Sequence, residues 1–84
     1  MDLTALTAIP DVIDLVALAE NPDPVERAVA ADEVMWLGPR GSYGPARDIR
    51  RLALTEALEA GIPLERIAAR LGVRPGDVER LASS

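Results

Sequence analysis

Apolar residues recur along this chain at helical spacing, and no stretch alternates with the two-residue rhythm of a strand. Residues 2–9 place Leu3, Leu6 and Ile9 three apart, a weak helical pattern that Pro10 stops. Asp11 is positioned to cap a helix over 12–20, where Val12, Ile13, Leu15, Val16 and Leu18 leave little polar face. So apolar a helix must be covered on more than one side, which in a short chain points to a partner subunit. The run Asn21-Pro22-Asp23-Pro24-Val25-Glu26 is the next boundary. Asp23 is a natural N-cap, Pro24 suits the first helical position, and Glu26 completes a capping-box-like spacing. The helix that follows runs to about Leu37, with Val25, Ala28, Val29, Val34, Met35 and Trp36 along it, and Gly38-Pro39 ends it. Residues 37–45 then read as a Gly/Pro loop. Pro45 opens a third main helix over about 45–60, with Ile49, Leu52, Ala53 and Ala57 on one face and Leu54 and Leu58 extending it. Arg47, Arg50 and Arg51 fall on or near the other side, and Gly61 terminates the helix.

The last third, Gly61-Ile-Pro-Leu-Glu-Arg-Ile-Ala-Ala-Arg-Leu-Gly-Val-Arg-Pro-Gly-Asp-Val-Glu-Arg-Leu-Ala82, predicts two short helices joined by a tight turn. Ala68 is small where a second helix would cross the first, and Gly72 tolerates a left-handed turn without a Cβ clash. Ile67, Leu71, Val73, Val78 and Leu81 fill the wedge between the helices. Over residues 46–82 the chain resembles the helix-turn-helix superfamily of DNA-binding proteins. It is most similar to the tail of small actinobacterial regulators and to the promoter-reading C-terminal region of sigma factors.

The resemblance implies that the first turn of the second helix enters the major groove and that its outward residues read bases. By position these are Arg74, Pro75, Gly76, Asp77, Glu79, Arg80 and Ser83. Arg80 would take guanine or phosphate, and Arg74 phosphate; Asp77 would cap the helix or accept from a cytosine amine, an option Glu79 shares. The family usually has Ser, Thr, Arg, Gln or Asn here, whereas this chain has Pro-Gly-Asp and Glu. Two carboxylates facing a phosphate backbone oppose binding. They keep open a second reading, in which the unit is a packing element or a dock for protein.

Charge bears on the same choice. The formal net charge of −5 argues against nucleic acid only as an average. Residues 1–37 hold eight carboxylates and one Arg, a balance of −7, while residues 38–84 hold eight Arg against six carboxylates, a balance of +2. Phosphate responds to local potential, so this split outweighs the total. Arg47, Arg50 and Arg51 are the densest basic cluster and, just ahead of the two-helix unit, could grip backbone phosphates. Arg70 and Arg66, one turn apart, face the same alternative, with Glu59 and Glu65 as surface partners. The competing reading of the cluster is a solvated face paired with Asp48 and with acidic groups of the N-terminal half.

With no Cys and no His, disulfides, thiolate metal sites and imidazole catalysis are excluded, and no acidic cluster has calcium-loop spacing. Trp36 and Tyr43, the only aromatics, are too few for a stacking platform and read as core or interface anchors. No apolar run approaches the roughly 20 residues of a membrane span, and no signal peptide is evident, so a cytoplasmic location is expected. The expectation is one all-α domain of about five helices ending in a helix-turn-helix. Residues 1–37 form its dimerisation part, 38–45 a loop, and 46–84 the DNA-binding part. The expected function is transcriptional regulation by a non-enzymatic homodimer without cofactor, its N-terminal helices paired. The alternative is an adaptor that binds RNA polymerase, a sigma factor or another protein.

Overall fold

The computed structural model describes residues 15–83. Among them the chain forms five α-helices and no strand: α1 (Leu15–Ala19), α2 (Pro24–Leu37), α3 (Tyr43–Glu59), α4 (Leu64–Leu71) and α5 (Pro75–Ser83). A single turn of 3₁₀ helix, Arg40–Ser42, precedes α3. This is the all-α architecture the periodicity predicts. The expected helix over 2–9, the Asp11 cap and the start of the 12–20 helix lie outside the described residues.

Local chemistry sets the helix ends. The Asp23 carboxylate accepts from the backbone N–H groups of Val25 (3.0 Å) and Glu26 (3.3 Å), satisfying two orphan donors at the start of α2. The reciprocal arm of a capping box is absent. Asn21 Oδ1 takes the Asp23 N–H instead (3.0 Å), which leaves Glu26 free for a partner elsewhere. At the other end, Gly38 has an extended backbone rather than a left-handed one (φ −85°, ψ −179°). Its requirement is space: a Cβ there would sit 2.7 Å from the Val34 carbonyl oxygen. The predicted loop is shorter than expected, because α3 starts at Tyr43. Pro45 therefore falls inside the first helical turn, where its missing N–H has no role in the ladder.

α2 and α3 form an antiparallel hairpin, whose register is pinned by Arg27–Glu56 (2.6 Å), Asp32–Arg50 (2.6 Å) and the Trp36–Tyr43 ring pair. The seam between them is made of alanine: Ala28 and Ala31 from α2, and Ala46, Ala53 and Ala57 from α3, are all fully buried. α4 and α5 close over the end of the hairpin away from its tip. Leu54, Ile67 and Val78, one each from α3, α4 and α5, are the largest fully buried side chains. Leu58, Ile62, Leu64, Leu71, Val73, Leu81 and Ala82 pack around them.

One face differs from expectation. Leu52, placed on the apolar face of α3 by its spacing, is 59% exposed. It lies about 120° round the helix from the alanine seam, taking about 100° per residue. Leu54 is where the three helices meet, so Leu54→Ala should lower the unfolding free energy by about 2–5 kcal/mol. Leu52→Ala should lower it by less than about 1 kcal/mol. Urea denaturation of both variants checks this, and equal losses would refute the assigned core.

Candidate nucleic-acid interface

α4 and α5 are joined by a short turn at Gly72, whose backbone is left-handed (φ 76°, ψ 30°). Its N–H returns to the Ala68 carbonyl (2.8 Å), as does that of Val73 (3.1 Å), so the turn is closed by main-chain bonds. The wedge residues named from the sequence do meet: Ile67 and Val78 are buried, and Leu71, Val73 and Leu81 pack against them. α5 is held by one face only. Pro75, Gly76, Glu79, Arg80 and Ser83 are exposed on the rest of it.

The charged groups of that outward surface are coupled. Arg80 donates to Asp77 Oδ1 at 3.0 Å, and Arg74, almost wholly exposed, approaches Asp77 Oδ2 at 3.6 Å. The hydrogen bond from Arg80 is the main reason the Asp77 carboxyl lies below its ordinary range. Partial burial opposes it, while the Arg74 backbone N–H and the two guanidinium charges add to it. A depressed carboxylate contributes to stability above its unfolded pKa and loses that contribution as pH falls through the folded value. At neutral pH Asp77 is therefore ionised and offsets charge on both arginines. Glu79 is exposed beside them.

Arg70 does not face outward with these groups. It makes a two-pronged pair with Glu26 of α2, Nε to Oε2 at 2.7 Å and Nη2 to Oε1. That hydrogen bonding is the first cause of the lowered Glu26 pKa and of the raised Arg70 pKa. By the same sign rule, the clamp between α2 and α4 is present at neutral pH and lost on acidification through the folded Glu26 value. Neither Glu59 nor Glu65 is the partner, as sequence proximity suggested. Two groups 44 residues apart in the chain give no local signal. Arg66, exposed on α4, has no ion-pair partner among the described residues.

The Arg47–Arg50–Arg51 cluster comes apart. Arg50 is only 6% exposed and bonds Asp32 across the hairpin seam through Nη1, leaving its Nε without a partner. It cannot reach a phosphate, and its expected place in a backbone grip is corrected by burial. Arg51 is half-screened by Asp48 at 3.5 Å. Arg47 is exposed and has no ion-pair partner among the described residues. The three are one, three and four positions apart on α3, but its rotation turns one inward and two outward.

Trp36 and Tyr43 are likewise displaced from any core. Their rings meet edge to face, with centroids 5.8 Å apart and an interplanar angle of 81°, at the tip of the hairpin, where both are exposed. No group of three or more acidic, His or Cys side chains that could hold a metal is present among the described residues. No helix among them is long and apolar enough to cross a membrane.

Comparisons with known protein families, curated proteins and solved structures found no match. The reading of this surface therefore rests on its own geometry.

Asp32→Ala should destabilise the hairpin by about 2–3 kcal/mol, since it strands a buried guanidinium. Arg47→Ala should change stability by less than about 0.5 kcal/mol. Chemical denaturation of the two variants separates the buried arginine from the exposed one, and an unchanged midpoint for Asp32→Ala would overturn the assignment.

Proposed function

We propose that this chain is a DNA-binding transcriptional regulator that docks α5 in a major groove and acts as a homodimer through its N-terminal helices. The observation that carries the reading is a helix anchored on one face by Val78, Leu81 and Ala82, behind a left-handed glycine turn, with Arg74 and Arg80 exposed on the rest of it. Arg80 serves as the base-reading group and Arg74 as a phosphate contact. Arg66 lies on the neighbouring helix as a further phosphate contact. Asp77 organises the start of α5 and holds Arg80 until a base edge or phosphate replaces it.

A second reading has its own support. The Asp77 carboxylate is shared between both arginines and Glu79 stands exposed beside them, so the face of α5 is close to neutral. Such a face suits a protein partner, for example a component of the transcription machinery, at least as well as a phosphate backbone.

Anisotropy titration with GC-rich duplex DNA across a salt series distinguishes the two. DNA binding through several arginines gives log K falling with log salt at a slope of roughly −3 or steeper. Arg80→Ala should relax preference at particular bases by about 1–3 kcal/mol, and Arg74→Ala should weaken all sequences alike and shallow the slope by about 1. No binding at low salt would remove the DNA reading and leave the adaptor.

A further inference from the structure

The tip of the α2–α3 hairpin carries more exposed apolar surface than its position requires. Trp36 is 66% exposed and Leu37 84%, and Tyr43 stands beside Trp36 across the tip. Glu33, Val34, Leu37 and Gly38 line a shallow depression on the same end. Aromatic residues with large exposed area, gathered in one patch, mark interaction surfaces.

The charges around this patch identify the occupant. Glu33 lies one helical turn before Leu37 on α2, and Arg47 lies one turn after Tyr43 on α3. Both are exposed, and neither has an ion-pair partner among the described residues. In contrast, Glu26, Arg27 and Asp32, the other charged residues of α2, are all paired within the chain. Arg40, in the 3₁₀ turn at the tip, is a further exposed base, so among the described residues the apolar centre is flanked by one unpaired acid, Glu33, and two unpaired bases, Arg40 and Arg47. That arrangement is self-complementary: a two-fold axis through the tip places Glu33 of each protomer against Arg47 of the other.

Length supplies an independent argument. Tyr43 at the tip and Thr55, whose hydroxyl reaches the Ala82 carbonyl of α5 (3.5 Å), both lie on α3, twelve residues apart. At 1.5 Å per residue the α5 contact stands about 18 Å from the tip. Two hairpins joined end to end therefore hold their α5 helices on the order of 36 Å apart. That is the spacing of successive major grooves on one side of DNA.

We infer that the hairpin tip, centred on Trp36, Leu37 and Tyr43 and ringed by Glu33 and Arg47, is the surface through which a second copy of this chain binds. The inference rests on the homodimer of the proposed function but moves its contact from the N-terminal helices as a whole to the end of α2 and the start of α3. Its test uses no DNA, so the two can fail separately.

The full chain is run in sedimentation velocity over a concentration series, with the emission of its single tryptophan followed in parallel. The wild type should dimerise with a blue shift of that emission as Trp36 is covered. Trp36→Glu should be monomeric with unchanged helix content by circular dichroism. Glu33→Arg and Arg47→Glu alone should each weaken association roughly tenfold or more, and combining them should restore it to within a few-fold of the wild type. A wild type that stays monomeric up to about 100 μM, far above the micromolar scale of weak specific complexes, overturns the inference. So does a dimer that survives Trp36→Glu but falls apart with Val16→Asp, which would put the interface on α1. Absence of any rescue in the double variant rejects the Glu33–Arg47 pairing.

Discussion

Everything else in this molecule depends on how closely α2 and α3 approach each other. Ala28, Ala31, Ala46, Ala53 and Ala57 are all fully buried along the seam, and none has a side chain beyond Cβ. Small residues at a helix contact allow axes near the short end of the usual 8–10 Å range. The hairpin so formed is a narrow, stiff rod, and α4 and α5 are too short to hold a conformation without it. Isolated helices of their length are unstable in water, so their order comes from Leu54, Ile67 and Val78 meeting against the rod. A larger residue at Ala53 or Ala57 would part the helices and remove the surface on which α4 and α5 lie.

Ion pairs then lock the orientation of each element rather than supply bulk stability. Glu26–Arg70 ties α4 to α2, Arg27–Glu56 and Asp32–Arg50 keep the hairpin in register, and Asp77 gathers Arg74 and Arg80 at the start of α5. The exposed pairs among them contribute little individually, so their value is geometric; Asp32–Arg50, with its guanidinium buried, is the exception. The distribution also explains how an acidic chain presents basic groups. Much of its negative charge on α2 is consumed by internal arginines. Among the described residues Arg40, Arg47 and Arg66 have no ion-pair partner, and Arg74 and Arg80 are paired only with the nearby Asp77.

The two ends of the rod present different surfaces. One end carries α5 on a single buried face, leaving the rest of that helix exposed. The other end carries the exposed aromatic pair and, among the described residues, three charges without an ion pair: Glu33, Arg40 and Arg47. Because a rigid hairpin joins them, a contact at the tip sets the position of α5 with the precision of a helix length. A flexible linker of the same residues would not.

The amino-acid sequence by itself determined where α2, α3 and α5 begin and end, to within about two residues. Those limits come from local chemistry: the Asp23-Pro24 cap, the Gly38-Pro39 stop, and the left-handed turn that Gly72 permits. It also determined the wedge of Ile67, Val78 and Leu81, since a short amphipathic helix has only one apolar stripe to bury. It could not determine the rotation of α3. Ile49, Leu52, Ala53, Leu54, Ala57 and Leu58 form a stripe wider than one neighbouring helix can cover. Only the packing of α2 decided that Arg50 turns inward to Asp32 while Leu52 faces solvent. The same holds for Arg70 finding Glu26, and for Trp36 and Tyr43 meeting outside the core. Helix ends are written in neighbouring residues, whereas the side a helix buries depends on what the rest of the chain lays against it.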